Sequence, residues 1–153
     1  MLDSLLTASA VVPVLKVKNK KQALQELAAR AAELSGRSDR EIFDTLLQRE
    51  RLGSTGIGHG VAIPHGKLAK LEELVGLFAR LEKPIDFDAI DGEPVDLLFL
   101  LLAPEGAGAD HLKALARIAR LLRDEKVAEK LRTAQDRDAI YALLTAPSTS
   151  HAA

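Results

Sequence analysis

The sequence is poor in several things, and each shortage closes a class of function. It has no cysteine, so disulfides, thiol nucleophiles, zinc–thiolate centres and iron–sulfur clusters are excluded. Aromatic residues are only 3%, all Phe apart from Tyr141, too few for stacking platforms on single-stranded nucleic acid. Neither sign of charge dominates: 21 basic residues stand against 22 acidic ones, for a formal net charge of -1. A chain so balanced has no overall basic field for nucleic acid and no acidic-polymer character. Long apolar runs are also missing. The best, Val95 to Ala103, is broken by Asp96 and is far short of the ~20 residues of a membrane span. At the N-terminus Asp3, Pro13 and Lys16 spoil a signal peptide, so the expectation is a cytoplasmic protein without membrane insertion.

What remains is a chain of 153 residues with 47% hydrophobic and 28% charged residues, the balance of one folded domain with a real core. Val11 to Val17 suits a short strand, with Pro13 marking an edge. Asn19 can cap a helix whose stripe is Ala23, Leu24, Leu27, Ala28, Ala31 and Leu34, and Gly36 stops it. Ser38 and Glu41 form a capping-box pattern for a second helix burying Ile42, Phe43, Leu46 and Leu47, ending near Arg51 or Gly53. A glycine-rich loop, 53–60, leads to the short apolar run Val61 to Ile63. Leu74 to Leu81 reads as a strand, and 84–92 as a connection with Ile85 and Phe87 inserted. Val95 to Ala103 reads as a central strand buried on both faces. After a loop over 104–109, Leu112, Leu115, Ala119 and Leu122 make a helical stripe. Val127 and Leu131 belong to a short second piece. Asp136 or Asp138 opens a last helix with Ile140, Leu143 and Leu144. Helices and strands mixed through one domain mean α/β or α+β. Residues 146–153 read as a frayed tail.

Few side chains remain for chemistry. Of the four histidines, His151 lies in the tail. His65 stands between Pro64 and Gly66: the proline stiffens the approach and the glycine leaves the ring an open side. The loop before it, Gly53, Ser54, Thr55, Gly56, Ile57, Gly58, His59 and Gly60, has four glycines in eight residues and two hydroxyls. Such a loop can present N–H groups and hydroxyls to an anion, or it can be a tight turn between helix and strand. It matches neither the P-loop nor the dinucleotide fingerprint. An imidazole beside an anion cradle suggests a phosphoryl group carried on the ring. Arg49 lies within about 20° of Ile42 on a helical wheel and therefore points with the buried face. Its guanidinium there needs either a phosphate or a carboxylate, unless it snorkels at the helix end. His111 opens the late helix and can serve an anion there, or it can be a satisfied boundary residue, with Asp110 as the N-cap. His59, His65 and His111 show no metal-ligand spacing, so no metal is expected. Asp86, Asp88 and Asp91 read as a solvated edge or a docking rim.

The run from Arg49 to Lys67, with Ile63-Pro64-His65-Gly66 at its core, resembles the signature of IIA domains of the bacterial phosphotransferase system, fructose/mannitol class, and most closely the nitrogen-regulatory branch. His111-Leu112-Lys113 and the run Leu98 to Ala103 support the likeness, which covers about residues 1–145, the expected domain. The resemblance implies an α/β fold, a single mixed β-sheet flanked by helices, with a shallow site. It implies His65 as phosphoacceptor through Nε2, Arg49 as ligand of the phosphoryl oxygens, His111 beside the acceptor ring, and 53–60 as the phosphoryl-binding loop. It implies no cofactor. Its partners would be an HPr-like phosphocarrier of the nitrogen branch (NPr) and regulated targets such as a potassium transporter or a sensor kinase, the protein itself being a monomer or weak dimer. The position of His59 is usually Asn in the family, which adds a titratable group. Ile57, Val61 and Leu68 are expected at a docking rim. No IIB or permease segment is attached, which favours a regulator. The alternatives are a IIA component of a sugar transport system that passes phosphate to a separate IIB domain, and a binding domain that has lost phosphotransfer.

Overall fold

The computed structural model describes residues 2–146, so His151 and the expected tail beyond Ala146 lie outside the described residues. Two single 3-10 turns, Leu2–Ser4 and Ala8–Ala10, lead into strand β1, Val11–Leu15. Helix α1, Lys20–Ser35, begins where the Asn19 side chain accepts from the Gln22 N–H, and ends on Gly36 at φ 74°. Helix α2, Asp39–Arg51, begins where Ser38 Oγ accepts from the Glu41 N–H. The expected capping box forms this half only. The Glu41 carboxylate is taken by the Arg37 guanidinium at 3.1 Å, because a charged donor wins over a backbone N–H.

The segment expected as a loop, 53–60, holds a short strand, β2 (Gly56–Gly58), which pairs antiparallel with β3 (Val61–Ala62) in the apolar run that follows. His59 and Gly60 make the turn, with φ of 56° and 79°. Two successive positive φ angles are the geometry of a tight hairpin whose twist matches its strands. Strand β4, His65–Leu68, follows at once, and β5, Val75–Ile85, runs past the expected end at Leu81 because Ile85 resumes pairing with Val95 beyond an irregularity. Strand β6 is Val95–Pro104. Helices α3 (Ala109–Arg123), α4 (Glu125–Thr133) and α5 (Arg137–Thr145) complete the chain.

One mixed sheet results, ordered β1-β5-β6-β3-β2, with β4 also on β6. β1 is parallel to β5 at an edge, as Pro13 requires, and Arg137 Nε and Arg80 Nε cap its Val11 and Pro13 carbonyls. β6 is antiparallel to β5 and parallel to both β3 and β4, which run along it in one unbroken register. Leu97 to Ala103 are all fully buried. Successive strand residues face opposite ways, so both faces of β6 are covered. Each such leucine contributes about 1.5–3 kcal/mol of burial. α2 packs on α1 and β4, α1 on β5, α3 on β6 and α5 on β1.

Several buried faces differ from expectation. Leu34 is exposed, since the last turn of α1 overhangs a cleft beside Leu5 and Leu74. In α2 only Ile42, Leu46 and Glu50 are fully buried, with Phe43 and Leu47 partly so. In α3 the buried stripe is His111, Ala114, Ile118 and Leu122, whereas Leu112 is 68% exposed. The observed stripe has the same period as the expected one and shares Leu122 with it, and contact with β6 sets which face is buried. α3 also starts earlier than expected: Gly108 is its N-cap and Asp110 lies inside the first turn. Val61 and Leu68 are core residues with 0% and 2% exposure, so they form no docking rim, and Ile57 is partly buried against the core.

β4 lies so close to α2 that a Cβ on Gly66 would stand 2.6 Å from Thr45 Cγ2. Thr45 cannot yield easily, because its hydroxyl donates to the Glu41 carbonyl at 2.9 Å. Gly66→Ala is expected to lower stability by about 1–3 kcal/mol through overpacking. Urea unfolding of the variant checks this.

Candidate functional site

The site arises where the partner strand of β6 is interrupted. Ile63 and Pro64 separate β3 from β4, yet the Pro64 carbonyl still accepts from the Leu101 N–H at 3.0 Å. The chain therefore stays on the sheet while leaving its ladder for two residues. His65 begins β4 there, half-buried. Its Nδ1 donates to the Ile63 carbonyl at 2.7 Å. A carbonyl can only accept, so Nδ1 carries the proton of the neutral ring and Nε2 carries the free lone pair.

Two side chains pack against the ring, one of them at that nitrogen. Arg49, in the last turn of α2, donates from Nε to His65 Nε2 at 3.3 Å, and its Nη1 donates to the Gly53 carbonyl at 2.8 Å. His111, in the first turn of α3, sets its ring 5.7 Å from that of His65 in an edge-to-face arrangement at 75°. His111 is only 7% exposed, and its Nε2 is buried without a hydrogen-bond partner among the described residues. Three elements far apart in the chain thus bring His65, Arg49 and His111 together.

The glycine-rich segment divides. Its first half abuts the site, but both hydroxyls are engaged: Ser54 Oγ donates to the Phe87 carbonyl at 2.7 Å, and Thr55 Oγ1 donates to the Glu50 carboxylate. The Thr55 N–H also goes to Glu50, and the Gly56 N–H to Ser54 Oγ. Ile57 and Gly58 continue β2 towards the hairpin tip. At that tip the His59 N–H donates to Asp91, and the His59 carbonyl accepts from Arg132, which also pairs with Asp96 at 2.9 Å. A Cβ on Gly60 would stand 2.4 Å from Arg132 Nη2. His59 and Gly60 therefore border a depression of about 330 Å³ with Arg132, Asp91 and Asp96.

Charge follows this geometry. Burial pushes the His65 pKa below its ordinary 6.5; the Ile63 carbonyl and Glu50 work against that shift, and Arg49 works with it. Burial also lowers His111, aided by the charges of His65 and Lys67. Both rings are accordingly neutral near pH 7. Glu50 escaped the sequence reading although a signal was present, since it stands one helical turn beyond Leu46 on the buried stripe of α2. Arg132 and Asp96 had no such signal, being joined only by the tertiary fold.

Residues 4–146 match the family described as "Phosphoenolpyruvate-dependent sugar phosphotransferase system, EIIA 2", and the chain belongs to that family. Within it, the chain is similar to nitrogen-regulatory members. It is 64% identical over 151 residues to a nitrogen regulatory protein of Bradyrhizobium diazoefficiens, covering 99% of each. A solved nitrogen regulatory IIA protein from Neisseria meningitidis superposes with a TM-score of 0.90 at 38% identity, over 94% of this chain and 99% of that one. The mannitol IIA structure from Escherichia coli shares the fold, with a TM-score of 0.78 at 20% identity over 92% and 99% of the two chains.

The two lowered histidines give a pH dependence of known sign. In the folded state each ring resists a proton that the unfolded chain takes up near 6.5. Their contribution to stability is therefore complete above that pH and is lost as pH falls towards the folded values. Urea unfolding at about pH 7.5 and about pH 5.5 is expected to show a smaller acid loss in the His65→Gln/His111→Gln double variant than in wild type.

Proposed function

We propose that the protein accepts a phosphoryl group on Nε2 of His65 from a small HPr-like phosphohistidine carrier and regulates other proteins according to its phosphorylation state. The observation that carries this reading is the tautomer. The 2.7 Å bond from Nδ1 to the Ile63 carbonyl leaves Nε2 unprotonated, directed at the Arg49 guanidinium. That lone pair attacks phosphorus as the donor's N–P bond breaks, and the bonding pair returns to the donor nitrogen. The Nδ1 proton stays against Ile63 O, which stabilises the positive charge that develops on the ring. Arg49 leaves the lone pair as phosphorus arrives and takes the phosphoryl oxygens. His111, whose ring packs edge-to-face on that of His65 and whose Nε2 has no hydrogen-bond partner among the described residues, supplies a further donor when that nitrogen holds the proton. The Gly53 end of the glycine-rich segment shapes the wall of the site.

A protein donor needs an open, partly apolar rim. Leu52, 85% exposed, follows Arg49 by three residues, and exposed Leu112 follows His111 directly. As exposed neighbours of site residues in the chain, they take the docking role expected of Val61 and Leu68. The 64% identical relative is named a nitrogen regulatory protein, which favours a regulator fed by a nitrogen-branch (NPr-type) carrier over a sugar-transport component. Targets of this reading are proteins such as a potassium transporter or a sensor kinase.

Incubation with phosphoenolpyruvate and the upstream carriers, followed by intact-mass spectrometry at neutral to alkaline pH, is expected to show one acid-labile phosphoryl group. His65→Ala should abolish it without loss of fold, and labelling that persists would place the acceptor elsewhere. Arg49→Ala is expected to slow transfer by about 10²–10³-fold, in line with loss of one preorganised charged donor. Its melting temperature should move by only a few degrees, as about 1 kcal/mol would produce. Normal transfer with a large loss of melting temperature would make Arg49 structural.

A further inference from the structure

Glu50 is a carboxylate with 3% side-chain exposure, next to the arginine that meets the acceptor nitrogen. Its bonds converge on one short turn. The Glu50 carbonyl accepts from the Gly53 N–H at 3.1 Å. The Glu50 side chain accepts from the Thr55 N–H at 3.1 Å through Oε1, and from Thr55 Oγ1 through Oε2. The turn Gly53–Thr55 is thus clamped at both ends by a single residue. Between the clamps, the Gly53 carbonyl accepts from Arg49 Nη1 at 2.8 Å, which braces the guanidinium whose Nε meets His65.

The same clamp reaches the other ring nitrogen. The Thr55 carbonyl accepts from the Ile63 N–H at 3.0 Å, and the Ile63 carbonyl accepts from His65 Nδ1 at 2.7 Å. Two chains of hydrogen bonds therefore lead from Glu50 to the acceptor imidazole. One runs through Gly53 and Arg49 to Nε2, the other through Thr55 and Ile63 to Nδ1. Lys20 holds the carboxylate in place: its Nζ lies 2.9 Å from Glu50 Oε1, 3.5 Å from Asp88, and over the Phe87 ring. A carboxylate with three donors on two oxygens is satisfied and has little freedom to rotate.

We propose that Glu50 is the positioning residue of the phosphoryl site: its buried carboxylate, held by Lys20, pins the turn that braces Arg49 and so sets the guanidinium against His65. This role presupposes His65 as the acceptor and deepens that reading. The charged or titratable groups around the His65 ring are Arg49 and Glu50 from α2 and His111 from α3, with Lys67 of β4 acting on His111. Arg49 lowers the His65 titration point and Glu50 raises it, so variants at position 50 separate charge from position.

The test is an NMR titration of His65, run with transfer kinetics and thermal melts, on Glu50→Gln, Glu50→Ala and Thr55→Val. Glu50→Gln keeps an oxygen for the Thr55 N–H, lets its amide N–H donate to Thr55 Oγ1 in place of the reverse bond, and removes the charge. His65 should then titrate lower than in wild type, with kcat for transfer within about threefold. Glu50→Ala removes charge and clamp together. Arg49 is released, His65 titrates above its value in Glu50→Gln, and kcat falls by about 10–100-fold while KM for the carrier stays unchanged. A residue needed only for folding would lower the melting temperature and leave the two titrations together. Equal His65 titration in the Gln and Ala variants, with wild-type kcat in both, would overturn the proposal. Should Glu50→Ala fail to fold, Thr55→Val decides, since it loosens the clamp and keeps every charge. His65 titrating above wild type with a reduced kcat supports the role, and no change in either refutes it. If wild type takes up no phosphoryl group, the acceptor reading falls. The titrations, made on unphosphorylated protein, still decide whether Glu50 positions Arg49.

Discussion

The break at Ile63-Pro64 governs this structure. β3 and β4 share one register along β6, and only the dipeptide between them leaves the ladder. Proline has no N–H to give to a sheet, so a strand must loosen where it stands. Ile63 faces away from β6: its N–H donates to the Thr55 carbonyl, and its carbonyl accepts from His65 Nδ1 two residues later.

Everything else at the site is hung from that break. β6 is buried along almost its whole length, so the backbone under His65 is among the least mobile parts of the fold. α2 is drawn against β4 by the missing side chain of Gly66, and this brings the last turn of α2, with Arg49 and Glu50, level with the ring. α3 follows the C-terminal end of β6, three residues beyond the partner of His65, and turns His111 inward. Loop and helix-end residues carry the chemistry, while the sheet sets their distances. A site that hands a group between proteins gains from this division, since its face can stay open without becoming loose.

The hairpin that carries the glycine-rich segment shows a second constraint. One stretch of eight residues serves two places: its beginning supports Arg49, and its tip is tied to α4 through Arg132 and Asp96. The close approach of Arg132 to Gly60 leaves no room for a side chain, and the positive φ there suits only glycine well. His59 tolerates its own positive φ at some cost, as a residue between Asn and the bulkier types. The segment thus acts as a brace, with both of its hydroxyls and the Thr55, Gly56 and His59 N–H groups bonded within the fold.

Much of this was legible in the chain itself. The caps at Asn19 and Ser38, the stop at Gly36, the edge strand marked by Pro13 and the unbroken apolar run of β6 are local signals, and local signals survive without a fold. The run from Arg49 to Lys67 was enough to indicate the family through its resemblance to that family's signature, although as a bare pattern its glycines left a tight turn open. Tertiary structure alone decided the rest. The buried face of α3 was settled by its contact with β6, since the expected and observed stripes have the same period. Glu50 became a clamp only when folding placed Thr55 and Lys20 around it, and a carboxylate can be buried only where donors meet it. The tautomer of His65 depended on a carbonyl whose direction no sequence pattern encodes. Periodicity and backbone preference act over a few residues and can be read in order, whereas hydrogen-bond satisfaction acts between elements that meet only in space.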